Sequence, residues 1–105
     1  MRIPKSRRIL GKVWHTKYKW NLRDDENTKL DGWMIPDERC IYIDRMLSAE
    51  EKYQTYLHEL IHALMFELSL HTTSLSLDVE EIICEGLSKF LVENCNIRWK
   101  KNDRR

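Results

Sequence analysis

The sequence predicts a small α+β domain, with a short antiparallel sheet of about three strands packed on two main helices. Three observations carry that expectation. "GKVWHTKYKW" alternates with a period of two, "CIYID" is a short β-rich run behind a turn, and beyond Ser48 the apolar spacing lengthens to that of helices. At 105 residues the chain has room for one domain, residues 1–105, and for no second independent core.

The elements follow in order. In residues 11–20, Trp14, Thr16, Tyr18 and Trp20 fall on one side of a strand, with His15, Lys17 and Lys19 on the other. "NLRDDENTKLDG" reads as a polar, solvated loop. "MIPDER" carries the turn chemistry of a hairpin into "CIYID", residues 40–44, where Ile41 and Ile43 face the core. Trp33 or Met34 extends the partner strand. Ser48 followed by Glu51 is a capping box, so a helix should start near Ala49 and run to about Ser69. Leu57, Leu60, Ile61, Leu64, Met65 and Leu68 make it apolar on more than one face, as a central helix would be. After the linker "HTTSLSL", Asp78 is the expected cap of a second helix whose core stripe is Ile82, Ile83, Leu87, Phe90 and Leu91.

Composition excludes several classes. A formal net charge of +1 gives no general attraction to nucleic acid or to a membrane surface, and the basic ending "RWKKNDRR" reads as a solvated tail. No run approaches the ~18 apolar residues that span a bilayer, and "MRIPKSRRIL" lacks the apolar core of a signal peptide. Cys40, Cys84 and Cys95 form neither a CxxC pair nor a secretory framework. A reducing cytoplasm is the expected compartment.

Within this ordinary composition, "YLHELIHALMFEL" places two histidines and a glutamate inside an apolar run, where unpartnered polar groups cost free energy. His58 and His62 are four apart, so on a helix both imidazoles reach one point in space. Glu59 is offset by about 100° around the axis and cannot share that coordination position, but can reach a water on the open side. This is the physical content of HExxH: two Zn²⁺ ligands and a general base on one helical turn. The alternative is a pair of histidines satisfied within the core.

A catalytic zinc requires a third protein ligand. Glu81, Glu80, Glu85, Asp78 and His71 are the candidates. Met65 and Leu68 stand where a metzincin would have its glycine and third histidine, which excludes that class. His71 sits at the expected helix end and would need a sharp turn back. Glu81 follows His62 after eighteen residues, enough for a helix to finish, a linker to turn and the next helix to come alongside. Glu85, four further on, can accept the free ring N–H of a ligating histidine. Glu80 and Glu81 could instead be a pair favouring the helix N-terminus.

"HELIH", eighteen residues, then "EIICE" resembles the HExxH-x18-E pattern of gluzincins. The closer resemblance is to small ImmA/IrrE-like metallopeptidases of phages and mobile elements, which pair a short strand, a helix with "LLHELxHAL" and a helix reading roughly ExxANxFA. "CIYID", "YLHELIHAL" and "EIICEGLS" follow that order over about residues 30–95. Cys84 and Ser88 stand for the two small residues, Leu87 replaces the aromatic and Glu85 replaces the common Asn. The resemblance implies a minimal gluzincin-like domain, with Zn²⁺ on His58, His62 and Glu81, Glu59 as general base and Glu85 behind the ligands. It also implies substrate pairing along an edge strand, for which "CIYID" is the candidate.

The expected activity is hydrolysis of peptide bonds in a peptide or protein substrate, by analogy a repressor-like regulator. Tyr53, Tyr56 and His71 are the available oxyanion donors. The alternative is a zinc-stabilised binding or regulatory protein with little turnover.

Overall fold

In the computed structural model, which describes residues 2–68 and 75–101, the alternating segment becomes an interior strand. Among the described residues the elements are β1 (Ser6–Ile9), β2 (Lys12–Lys19), β3 (Gly32–Ile35), β4 (Cys40–Asp44), α1 (Ala49–Glu67) and α2 (Leu77–Asn94). The sheet order is β1-β2-β4-β3. β1 with β2 and β3 with β4 are antiparallel, whereas β2 and β4 run parallel. The expected three-stranded antiparallel sheet is thus a four-stranded mixed one.

β1 is the added strand. "SRRI" has no apolar alternation, but an edge strand tolerates arginines. Its hairpin turns on Leu10 and Gly11, both at positive φ (48° and 85°), as a two-residue primed turn requires.

β4 lies between β2 and β3 with all five residues buried, so "CIYID" is a central strand and not the edge that would receive a substrate. The edge on that side is β3. Ile41 and Ile43 join Ile9, Trp14, Tyr53, Tyr56, Leu57 and Ala63 in a core between sheet and α1. On the opposite face Cys40 and Tyr42 are covered by Leu22 from the 20–31 connection, with Leu30, Trp33 and Ile35. That connection is less solvated than its charges suggest: Lys29 pairs with the buried carboxylate of Asp44, which also accepts the Asn21 and Met46 amide N–H groups. Trp20 lies past the end of β2 and is exposed, although Trp14 on the same side is fully buried.

Helix α1 begins where its capping box requires: the Glu51 N–H donates to Ser48 Oγ at 3.1 Å and the Ser48 N–H to Glu51 Oε1 at 3.0 Å. It ends at Glu67, two residues before the expected limit, with Leu64 and Leu68 exposed. Glu67 accepts from Trp14 Nε1 and Arg39 Nε, each at 2.7 Å, which ties the last turn of α1 to β2 and to the β3–β4 turn.

Helix α2 is capped by Ser76, whose Oγ accepts the Val79 N–H, so Asp78 falls inside the first turn and is not the cap. Its orientation also departs from the apolar pattern. Ile82 and Phe90 are 70% and 56% exposed, and Ile83 and Leu87 are exposed too. The fully buried positions are Glu80, Cys84 and Ser88, one row at spacing four, while Leu91 is partly buried against the core. Polar contacts choose this face: Gln54 Nε2 donates to Ser88 Oγ at 2.8 Å, and the acidic residues of α2 meet the histidines of α1. No helix among the described residues is long and apolar enough to cross a membrane.

Candidate metal centre

The antiparallel packing of α1 and α2 sets the HELIH turn against the opening turns of α2. His58 and His62 project toward α2 with ring centroids 5.0 Å apart. Glu81 lies between them, Oε2 at 3.1 Å from His58 Nε2 and Oε1 at 2.9 Å from His62 Nε2. These three residues can each bring one donor atom within 4.8 Å of the others.

The opposite ring nitrogens are held as well. His58 Nδ1 is 2.9 Å from Glu85 Oε1, and His62 Nδ1 is 2.5 Å from Glu80 Oε2. A carboxylate on Nδ1 fixes the tautomer that leaves a lone pair on Nε2, the state in which imidazole ligates a metal. Each ring therefore faces carboxylate oxygens at both nitrogens. A neutral imidazole has one N–H to give. With Nδ1–H directed at Glu85 or Glu80, Nε2 and Glu81 meet lone pair to lone pair, an arrangement that either a second ring proton or a metal cation between them would satisfy. Two imidazoles and a carboxylate are the donor set of a hydrolytic zinc site, so the residues present fit Zn²⁺.

Glu59 stands apart from this set, as its 100° offset requires. It lies beneath β3, where its side chain and that of Thr55 crowd the backbone at Gly32. A Cβ added to Gly32 would come within 2.5 Å of Thr55 Cγ2, 3.0 Å of Glu59 Cγ and 3.3 Å of Glu59 Oε2. Glycine is what lets the edge strand pass this close. Burial pushes the Glu59 carboxyl above its ordinary range, against the pull of His58 and His62, while the Met34 backbone amide favours its charged form. For His62, burial works to lower the pKa, but the hydrogen bond to Glu80, the charge of Glu59 and the hydrogen bond to Glu81 outweigh it and leave the imidazole raised. A cavity of about 250 Å³ opens beside these groups, lined by Asp31, Gly32, Gln54, Thr55, His58, Glu59 and Glu85.

Of the residues expected from the sequence, His58, His62 and Glu81 come together, and Glu85 takes its place behind His58. Asp78 is exposed and belongs to no candidate ligand group among the described residues. His71 lies outside the described residues. Tyr53 and Tyr56 are buried in the core, Tyr56 edge-on to Trp99, and neither lines the cavity. Sequence reasoning left open the role of Glu80. Its distinguishing signal is position: it precedes Glu81 on the helix and so sits in the same row as Cys84 and Ser88, the row that packs on α1.

Scanned against protein-family models, curated proteins and solved structures, the chain matches none.

Proposed function

We propose that this chain is a zinc-dependent metallopeptidase. The observation that carries the reading is the position of Glu81, bridging the Nε2 atoms of two histidines whose other nitrogens are already held by carboxylates. His58, His62 and Glu81 would hold the ion, and Glu85 and Glu80 would orient the two imidazoles. When bound, Zn²⁺ supplies Lewis acidity toward a carbonyl oxygen and brings the pKa of a water toward ~7. Glu59 takes the proton of the attacking water and returns it to the leaving amine. Its raised pKa suits that exchange, because a base of middling strength can both accept and give back the proton.

Substrate access follows from the sheet. β3 ends the strand order, and its start at Gly32 borders the cavity beside His58 and Glu59. An extended peptide added to β3 would lay its backbone across that cavity, with main-chain hydrogen bonds holding it in register. A regulatory protein with an exposed extended segment is the proposed class of partner.

The test is Glu59→Gln assayed against an unfolded protein substrate. Metal content should stay at the wild-type level while cleavage is lost; cleavage at the wild-type rate would refute the role given to Glu59. A second reading, a zinc-stabilised binding protein, is favoured by one observation: Tyr53 and Tyr56, two of the three candidate oxyanion donors, are both turned into the core. It predicts stoichiometric zinc with no turnover in the wild-type protein.

A further inference from the structure

Behind the outer ligand set, toward the interior, a ring nitrogen of His62, a Glu80 carboxylate oxygen and Cys84 Sγ also lie within 4.8 Å of one another, and it is Nδ1 of His62 that meets Glu80. Glu80 and Cys84 are four apart on α2 and leave the same face of the helix. Both are buried, Glu80 at 5% exposure and Cys84 at 0%. Glu80 gives Oε2 to His62, but its other oxygen, Oε1, is enclosed and among the described residues has no hydrogen-bond partner. A carboxylate that served only to orient a ligating imidazole would need one oxygen, and a buried polar atom left without a partner calls for its own explanation.

We propose that His62 Nδ1, Glu80 and Cys84 form a second, inner site for a thiophilic divalent cation, alternative to the outer one. Nitrogen, oxygen and sulfur donors together select borderline and soft ions over Mg²⁺ or Ca²⁺. On binding, the Cys84 thiol gives its proton to solvent, the Nδ1 lone pair goes to the ion, and the ring proton resides on Nε2. There it donates to Glu81 Oε1, which stands at the required 2.9 Å. The orphaned Glu80 oxygen gains a ligand. The same shift removes the His62 Nε2 lone pair from the outer set, so one imidazole serves one site at a time. An ion in the inner site therefore switches off chemistry at the outer site; this last consequence rests on the metallopeptidase reading, whereas the inner site does not.

Cobalt titration of the metal-free chain separates the two positions, because only the inner one has a sulfur ligand. In a Glu81→Gln variant, which weakens the outer set and keeps an oxygen for the His62 N–H, Co²⁺ should produce a thiolate-to-cobalt charge-transfer band in the near ultraviolet. The band should vanish when Cys84→Ala is added and persist when Cys40→Ala or Cys95→Ala is added. In the wild-type chain, where the two positions compete for His62, the band should be weaker than in Glu81→Gln and should not grow once the first equivalent of Co²⁺ is bound. Absence of the band in Glu81→Gln at saturating Co²⁺, or its survival in Cys84→Ala, overturns the inner site. Should Glu81→Gln fail to fold, His58→Ala gives the same readout. Visible ligand-field bands without the thiolate band would leave the outer site standing and the inner one refuted; neither set of bands in the wild-type chain would refute both.

Discussion

Glu80 and Glu81 are neighbours in sequence yet approach the same imidazole from opposite sides, Glu80 at His62 Nδ1 and Glu81 at His62 Nε2. The helix turns by about 100° between them, which separates a buried carboxylate from an exposed one. Their substitutions should therefore differ in kind. Glu81→Ala removes a proposed ligand and should abolish zinc retention through dialysis. Glu80→Ala should lower zinc affinity by roughly 10- to 100-fold, as loss of an orienting partner does. Competition with a chromophoric chelator measures both; the reverse order would mean that the third ligand is Glu80.

Glu85→Gln should cost less than Glu80→Ala. Its carboxylate is partly exposed and shared between His58 and Lys89, so water can replace it at Nδ1. A loss of zinc affinity below roughly 10-fold is expected from the same chelator competition.

Gly32→Ala should destabilise the fold by about 1–3 kcal/mol, the usual cost of forcing a methyl into a filled space. The closest obstacle is Thr55 Cγ2, at 2.5 Å from the added Cβ. Thr55→Ser deletes that methyl, so the double substitution should recover much of the lost stability in a denaturant melt. If Thr55→Ser gives no recovery, the close approach of β3 to α1 is misplaced.

Asp44 sets part of the acid limb of stability. Its hydrogen bond to Lys29, and then the one to the Met46 amide, hold its carboxyl below the ordinary carboxylate value. A group with a depressed folded pKa contributes stability that is full above its unfolded pKa, near ~4, and lost as pH falls through the folded value. Asp44→Asn should lower stability at neutral pH by roughly 1–3 kcal/mol. The difference from wild type should shrink progressively below pH ~4. Thermal melts across that range check both the size and the sign.

Ser48→Ala should remove about 1 kcal/mol by ending the capping box, read as a lower melting temperature. Because Ser48 lies ten residues before His58, zinc stoichiometry should not change.

These outcomes also show where the sequence was informative. The capping box and the spacing of HELIH located α1 and its paired histidines, because both signals are local to a few turns of one helix. β2 and β4 were legible as strands from alternation and composition. Their parallel pairing was not, since partner choice depends on the 20–31 connection folding back under Leu22 and Leu30. β1 carried no pattern of its own; it exists because Leu10 and Gly11 turn it onto β2. The face of α2 was misjudged for a physical reason: apolar periodicity pointed to Ile82 and Phe90, whereas carboxylate–imidazole contacts and the Gln54–Ser88 bond fix the orientation. The eighteen-residue spacing pointed to Glu81, whereas the place of Glu80 at His62 Nδ1 depends on the rotation of the helix.

That orientation gives α2 an inverted amphipathicity, oily toward solvent and ionic toward its neighbour. Two surfaces of one cylinder thus compete for a single seat on α1, and under the proposed function charge neutralisation by a cation would weight the contest toward the ionic surface. Chelation would remove that weight, leaving the three crowded carboxylates of Glu80, Glu81 and Glu85 opposed to a hydrocarbon strip that gains by turning inward. The azimuth of α2, and with it the exposure of Ile82 and Phe90 to an apolar dye, would then report whether the proposed metal centre is filled.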